Sequence, residues 1–338
     1  MKSKALLTIL ISTYNREELL LENLKKTLSS IDDRACFVIC DNASTDNTWH
    51  KLESIKDERA IIYRNERNLD IWNYYYMVSR VSTPFFLFLN DRDCIEPDAL
   101  SDLLDFIFDH CDFDIIASFK GGMFLKEGEK KDVEFFDVFH QANHPGHMIY
   151  NTDFWNKNIN QSELNNLIVS GDYVKANQYV SFKLMNNISK GIYRRKNHIT
   201  QPINRDKTVA QKRREVYGKG AAYILPEHQI DYFDSCSKYL SDEKVSYKTN
   251  EYLLSYYRNG IEKIEHEFFG SVRSYDFCVR NNCVGQKPYK WVSNGMKYTS
   301  AVLNNSYVKN NKMRMKVVFW FIKSLLLNSI RNVACYFI

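Results

Sequence analysis

Asp91 and Asp93, separated by one residue, follow directly on the apolar run Phe85 to Leu89. A run of that length, bounded by Pro84 and a polar turn, predicts a buried strand. Both carboxylates then stand at its C-terminal end, where open α/β sheets bind ligands. Two carboxylates at such range repel each other unless a cation lies between them, and a hard divalent ion with open coordination positions also holds a diphosphate. Taken alone, the triplet has a plainer use: Asp93 or Asp98 can cap the next helix, in which Pro97 suits the first turn.

The residues in front of the triplet alternate strand and helix. Ala5 to Thr13 form a continuous apolar strand, and Leu20, Leu21, Leu24 and Leu28 recur at helical period. A second strand, Ala35 to Cys40, runs into Asp41 and the polar loop DNASTDNT. A third, Ala60 to Tyr63, runs into RNERNLD, and Trp72 to Arg80 read as a short helix. This βαβαβ order predicts an α/β fold with a mostly parallel central sheet and helices on both faces. Three strand ends then carry polar clusters, Ser12 to Arg16, Asp41 to Asp46 and Asp91 to Asp93, which together suggest one composite site.

The segments ILISTYNRE, CDNASTDNTW and FLNDRD, in this order and at these distances, resemble the nucleotide-diphosphosugar transferase domain of the family 2 glycosyltransferases, which have the GT-A fold. The resemblance is good over roughly residues 5–120 and loose over 121–225. It implies that Ser12 and Tyr14 lie against a nucleobase and that Asp41 accepts a hydrogen bond from a uracil-type ring nitrogen. Arg16 and Asn42 join this nucleotide-binding set, Ser44 and Asp46 fix the loop, and Arg67 lies near the phosphates or the base. Asp93 would bind Mg²⁺ or Mn²⁺, while Asp91 would touch the ribose, the donor sugar or a metal-bound water. Such an ion neutralises charge growing on a departing nucleoside diphosphate.

Family 2 enzymes generally invert the anomeric centre, with a carboxylate as general base on the acceptor hydroxyl. The usual Glu-Asp pair is missing here. SGDYVKANQY offers Asp172, with Gly171 in place of the first acid, and Asp153 in HMIYNTDFW competes with it. A second departure is Asp70 in NLDIW, where many relatives have glycine. The basic stretch Gly191 to Arg214 supplies His198 as a candidate metal ligand and Arg194, Arg195 and Arg205 as candidate diphosphate contacts.

The 338 residues suffice for a full α/β core and an appendage. The expected division is a catalytic domain over 1–225, with a donor half to about 120 and an acceptor half from 121, then a mainly helical region over 226–338. Eight scattered cysteines form neither a disulfide framework nor a C-x-x-C zinc pattern. The chain opens on its first strand, a start that predicts no secretory leader and a cytoplasmic enzyme. The formal net charge is +5, yet ten Lys or Arg and no acid follow Asp276, so residues 1–276 carry −5 and the tail is purely basic. No nucleic-acid partner is expected. In segment 311–338, Lys312, Arg314 and Lys316 flank an aromatic and apolar run too interrupted to span a bilayer, which suits a helix lying on the inner face of the cytoplasmic membrane. A helix docked on the core, or buried in a homo-oligomer, is the other use of such a segment.

The leading expectation is an inverting, metal-dependent transfer from a nucleotide-diphosphate sugar, UDP-linked, to a growing surface polysaccharide or lipid-linked glycan. The alternatives are a nucleotidyltransferase, which the loop STYNREE does not fit because it lacks a glycine-rich, lysine-bearing phosphate loop, and a non-catalytic carbohydrate-binding or scaffold protein with a degenerate GT-A fold.

Overall fold

The structure is a computed structural model. It describes residues 5–17, 20–69, 73–120, 125–130, 144–169, 173–200, 289–308 and 311–336, with isolated positions between 135 and 142 and between 229 and 261. Two compact units divide the chain, residues 1–204 and 205–338.

The first unit is built on one eight-stranded sheet. The apolar runs read from the sequence become β1 (Leu7–Thr13), β2 (Ala35–Asp41), β3 (Ala60–Arg64) and β4 (Phe85–Asn90), with α1 (Leu20–Leu28), α2 (Thr48–Glu53) and α3 (Asn73–Met77) between them. α4 (Pro97–Asp109) follows β4, with Pro97 at its start. After it come β5 (Ile115–Ser118), β6 (Gly128–Lys130), β7 (Met148–Asn151), α5 (Thr152–Asn158), α6 (Gln161–Val169), α7 (Tyr173–Asn187) and β8 (Gly191–Arg194). The strand order is β3-β2-β1-β4-β7-β5-β8-β6. β1 pairs in parallel with both β2 and β4, and β3 in parallel with β2. β7 runs antiparallel between β4 and β5.

Burial explains the apolar runs. Ile9, Ile11, Phe37, Ile39, Leu87 and Leu89 share a core with Leu100, Leu103, Leu104 and Ile107 of α4. Each such side chain contributes roughly 1.5–3 kcal/mol when fully removed from water. Both faces of these central strands are covered, so they read as continuous hydrophobic runs without alternation. On β8, between β5 and β6, Gly191 lies so close to Phe135 that a Cβ there would stand 2.4 Å from the ring.

The chain winds outward from β1 through β2 to β3, then returns to place β4 on the other side of β1. The order therefore reverses between β1 and β4, and open α/β sheets bind ligands in the crevice beyond such a switch point. Register sets the edge: Thr13 stands opposite Asp41, Asp41 opposite Arg64, and Ser12 opposite Asn90. In the second unit, the long described helices are α8 (Tyr289–Asn304) and α9 (Asn311–Tyr336). No described helix is long and apolar enough to cross a membrane.

Candidate active site

The three polar clusters meet at the C-terminal edge of β1, β2 and β4. The loops after β1 and β2 are laced together: Asn15 N–H donates to Ser44 Oγ at 2.9 Å, Thr45 N–H to Asn15 Oδ1 at 2.8 Å, and Arg16 N–H to Thr48 Oγ1 at 2.8 Å. Asp46 Oδ1 accepts from Thr48 N–H at 3.0 Å. Asn15 and Ala43 have φ of 50° and 62°. Left-handed backbone at two non-glycine residues costs energy, which the interloop bonds offset, and such residues gather at functional sites.

On the nucleotide side, Ser12 Oγ accepts from Asn73 Nδ2 at 2.9 Å, so its own proton is left for another acceptor. Tyr14 is exposed. Asn42 is committed to the loop beyond β3: its Oδ1 accepts from Asn65 Nδ2 and Leu69 N–H, both at 2.9 Å, and its Nδ2 donates to Asn68 Oδ1 at 2.8 Å.

Asp41 departs from expectation. Its carboxylate is fully buried, with Oδ2 3.0 Å from Arg64 Nε and both oxygens facing Ser44 N–H at 3.2 and 3.3 Å. A direct contact with a nucleobase is closed here, and the outer member of the pair is the half-exposed Arg64. Arg64 stands opposite Asp41 because β3 pairs with β2 in that register, while Arg67 three residues on is solvent-exposed.

Asp91 accepts from Thr13 Oγ1 at 3.0 Å and lies 3.5 Å from Arg16 Nε. Burial pushes its carboxyl above the ordinary range, and the charge of Asp93 adds to this against the pull of Arg16, Thr13 and Arg92. Asp93 is only 4% exposed. Its Oδ2 is buried and makes no well-directed hydrogen bond, although His144 Nε2 stands 2.6 Å from it. A buried carboxylate oxygen so placed, next to a second carboxylate, fits a hard divalent ion. Among the described residues no three His, Cys, Asp or Glu side chains enclose a cation. Asp93 and Asp91 are the residues that would hold such an ion.

His144 was not singled out by the sequence reading. It precedes the short turn Pro145–His147 that leads into β7, and Gly146 N–H donates to its Nδ1 at 3.2 Å. Its Nε2 lies between Asp93 Oδ2 and the side-chain amide of Asn90, 2.8 Å away. The signal lay in HPGH, two histidines around a Pro-Gly turn, but only the antiparallel insertion of β7 beside β4 brings the turn to Asp93.

His198, the expected histidine ligand, is a core residue instead. It is buried, its Nε2 donates to Gly146 O at 2.8 Å, and its Nδ1 has no hydrogen-bond partner. Burial lowers its pKa to about 3, and burial with the charge of His144 lowers that of His147 to about 4. In an unfolded chain both rings titrate near 6.5. Between pH 6.5 and about 4 the unfolded chain thus binds protons that the fold refuses, so stability must fall as pH drops through that window. Urea midpoints at pH 7 and pH 5 should show this loss, and a smaller one for His198→Gln. An equal pH dependence in wild type and variant would remove His198 from the account.

The diphosphate candidates are also redirected. Arg194 is buried, its guanidinium bonded to Asp102 of α4 and lying 4.7 Å from the Phe106 ring centre. Alternation along β8 sends its side chain to the α4 face of the sheet. The side chain of Arg195 is exposed, and its N–H donates to Glu127 Oε1 at 3.1 Å. Arg205 lies outside the described residues, as do Asp70 and Asp172. Asp153 is exposed in the first turn of α5, just past Asn151, which pairs with Phe85 at the start of β4. It stands at the opposite edge of the sheet from Asp91, a full strand length of roughly 17–20 Å, and does not join the site.

Residues 8–170 match the model of the family described as glycosyl transferase family 2. Over 60 residues the chain is 35% identical to the UDP-Glc:alpha-D-GlcNAc-diphosphoundecaprenol beta-1,3-glucosyltransferase WfaP of Escherichia coli, a match spanning 18% of this chain and 24% of that relative. The fold is that of S. aureus TarS 1-349, with a TM-score of 0.54 at 14% identity over 97% of this chain and 91% of that one. For TarS 1-349 in complex with UDP-GlcNAc the TM-score is 0.56 at 14% identity, over 97% and 92%.

Proposed function

We propose that this chain, whose residues 8–170 belong to glycosyl transferase family 2, transfers a sugar from a nucleotide-diphosphate donor, UDP-linked, to a hydroxyl of a surface polysaccharide or lipid-linked glycan, with inversion. The observation that carries the reading is the convergence at one switch point of a nucleotide edge, Ser12, Tyr14 and the Asp41–Arg64 pair, with a buried acidic edge, Asp91 and Asp93. The names of two similar proteins add support for the donor: WfaP is a UDP-Glc glucosyltransferase, and TarS is solved with UDP-GlcNAc.

In this reading the Ser12 hydroxyl donates to the base, the exposed ring of Tyr14 stacks on it, and the Asp41–Arg64 pair borders it. Arg16, already beside Asp91, faces the phosphates. Asp93 and Asp91 would hold Mg²⁺ or Mn²⁺, which when bound would supply Lewis-acid neutralisation of the diphosphate. Asp172 takes the proton from the acceptor hydroxyl. The enzyme works at the inner face of the cytoplasmic membrane, where lipid-linked acceptors are reached.

A panel of nucleotide sugars incubated with Mn²⁺ or Mg²⁺ tests the reading, because slow donor hydrolysis reveals the donor before any acceptor is known. A UDP-sugar should be hydrolysed in preference to GDP- and CMP-sugars. Metal-independent hydrolysis would remove the ion from the mechanism, and no binding of any nucleotide sugar in calorimetry would leave the scaffold alternative standing.

A further inference from the structure

α9 is apolar on two opposite sides. One side is docked: Met313, Val317 and Ser324 are buried, and Phe321 lies so close to α8 that a Cβ on Gly295 would stand 2.9 Å from its ring. The other side is not: Met315, Val318, Phe319, Ile322 and Leu326 are between 41% and 67% exposed. At about 100° per residue these five fall within an arc of roughly 100°, centred opposite Val317 and Ser324. Cations border both margins, with Lys312, Lys316 and Lys323 along one and Arg314 along the other.

Five large apolar side chains in one stripe form a patch of the kind that marks an interaction surface. Charge decides the occupant. After Asp276 the chain carries ten Lys or Arg and no acid, so two copies meeting through this face would bring like charges together, whereas an anionic bilayer complements the margins.

We propose that the Met315–Leu326 face of α9 is a lipid-facing surface that lays the C-terminal unit flat on an anionic bilayer while the opposite face stays docked on α8. The segment is thus at once a docked helix and an interfacial one, and removing it would uncover α8, so substitutions test it better than truncation. The proposal rests on the membrane part of the proposed function. Its test reads vesicle binding, so it can fail while the transferase reading stands, and the reverse.

The full-length chain should float with phosphatidylcholine vesicles that contain phosphatidylglycerol at low salt, and much less with phosphatidylcholine alone or at high salt. Phe319→Ser/Ile322→Ser/Leu326→Ser alters only exposed positions and should weaken binding at least about tenfold with an unchanged thermal transition. Lys312→Glu/Arg314→Glu keeps the apolar stripe and should lose the preference for anionic vesicles, which keeps the proposal testable if the triple variant misfolds. Failure of the wild type to bind, or equal binding by the variants, overturns the proposal. So does a wild type that is dimeric without lipid and becomes monomeric in the triple variant, since the face would then belong to a second copy.

Discussion

Asp93→Asn should abolish metal-dependent donor binding and, with it, transfer. Asp93 is buried, its Oδ2 makes no well-directed hydrogen bond although His144 Nε2 stands 2.6 Å away, and the substitution replaces an anionic carboxylate by a neutral amide. A hard cation loses a charged ligand, and the diphosphate loses its neutralising partner. Loss of an outer-shell partner already lowers metal affinity by roughly 10–100-fold, and removal of a direct ligand should exceed that. Calorimetric titration of UDP with and without Mn²⁺ reads the effect before any acceptor is found. His144→Ala serves as the comparison: its ring touches Asp93, so this variant should weaken Mn²⁺ less than Asp93→Asn does. Full activity of Asp93→Asn, or of the wild type in excess EDTA, would sink the assignment of Asp91 and Asp93 to a metal.

Asp172→Asn is expected to leave donor binding intact while turnover falls by about a hundred- to ten-thousandfold, the range typical of a lost general base. Binding should survive because the proposed nucleotide edge, from Ser12 to Arg64, does not include Asp172, whose proposed role is confined to the acceptor proton. Asp153→Asn is the matched control, since that carboxylate stands exposed at the far edge of the sheet and should change turnover little. The opposite pattern, with turnover lost in Asp153→Asn and kept in Asp172→Asn, would move the base to Asp153 and require an acceptor site at the far edge.

The four leading strands, their parallel order and the placing of Asp91 and Asp93 past the fourth were legible in the sequence. Each depends on local information: apolar runs of strand length, helical periodicity between them and polar residues at their ends. The resemblance in ILISTYNRE, CDNASTDNTW and FLNDRD rests on the same short segments, and the family match over residues 8–170 agrees with it.

Pairings between distant residues were decided only by tertiary structure. Arg64 closes over Asp41 because β3 pairs with β2 in one register. Arg194 turns to Asp102 because the pleat of β8 sends it to the α4 face, and His198 is consumed by the carbonyl of Gly146. His144 reaches Asp93 because β7 enters antiparallel beside β4, a reversal that local periodicity does not encode. α9 shows the same limit. Its two apolar faces read in sequence as a single interrupted run, and only the packing of Val317 and Phe321 on α8 separates the face that is buried from the face left to a partner. Periodicity records which side chains avoid water, whereas strand order, register and helix docking settle which partner each one meets.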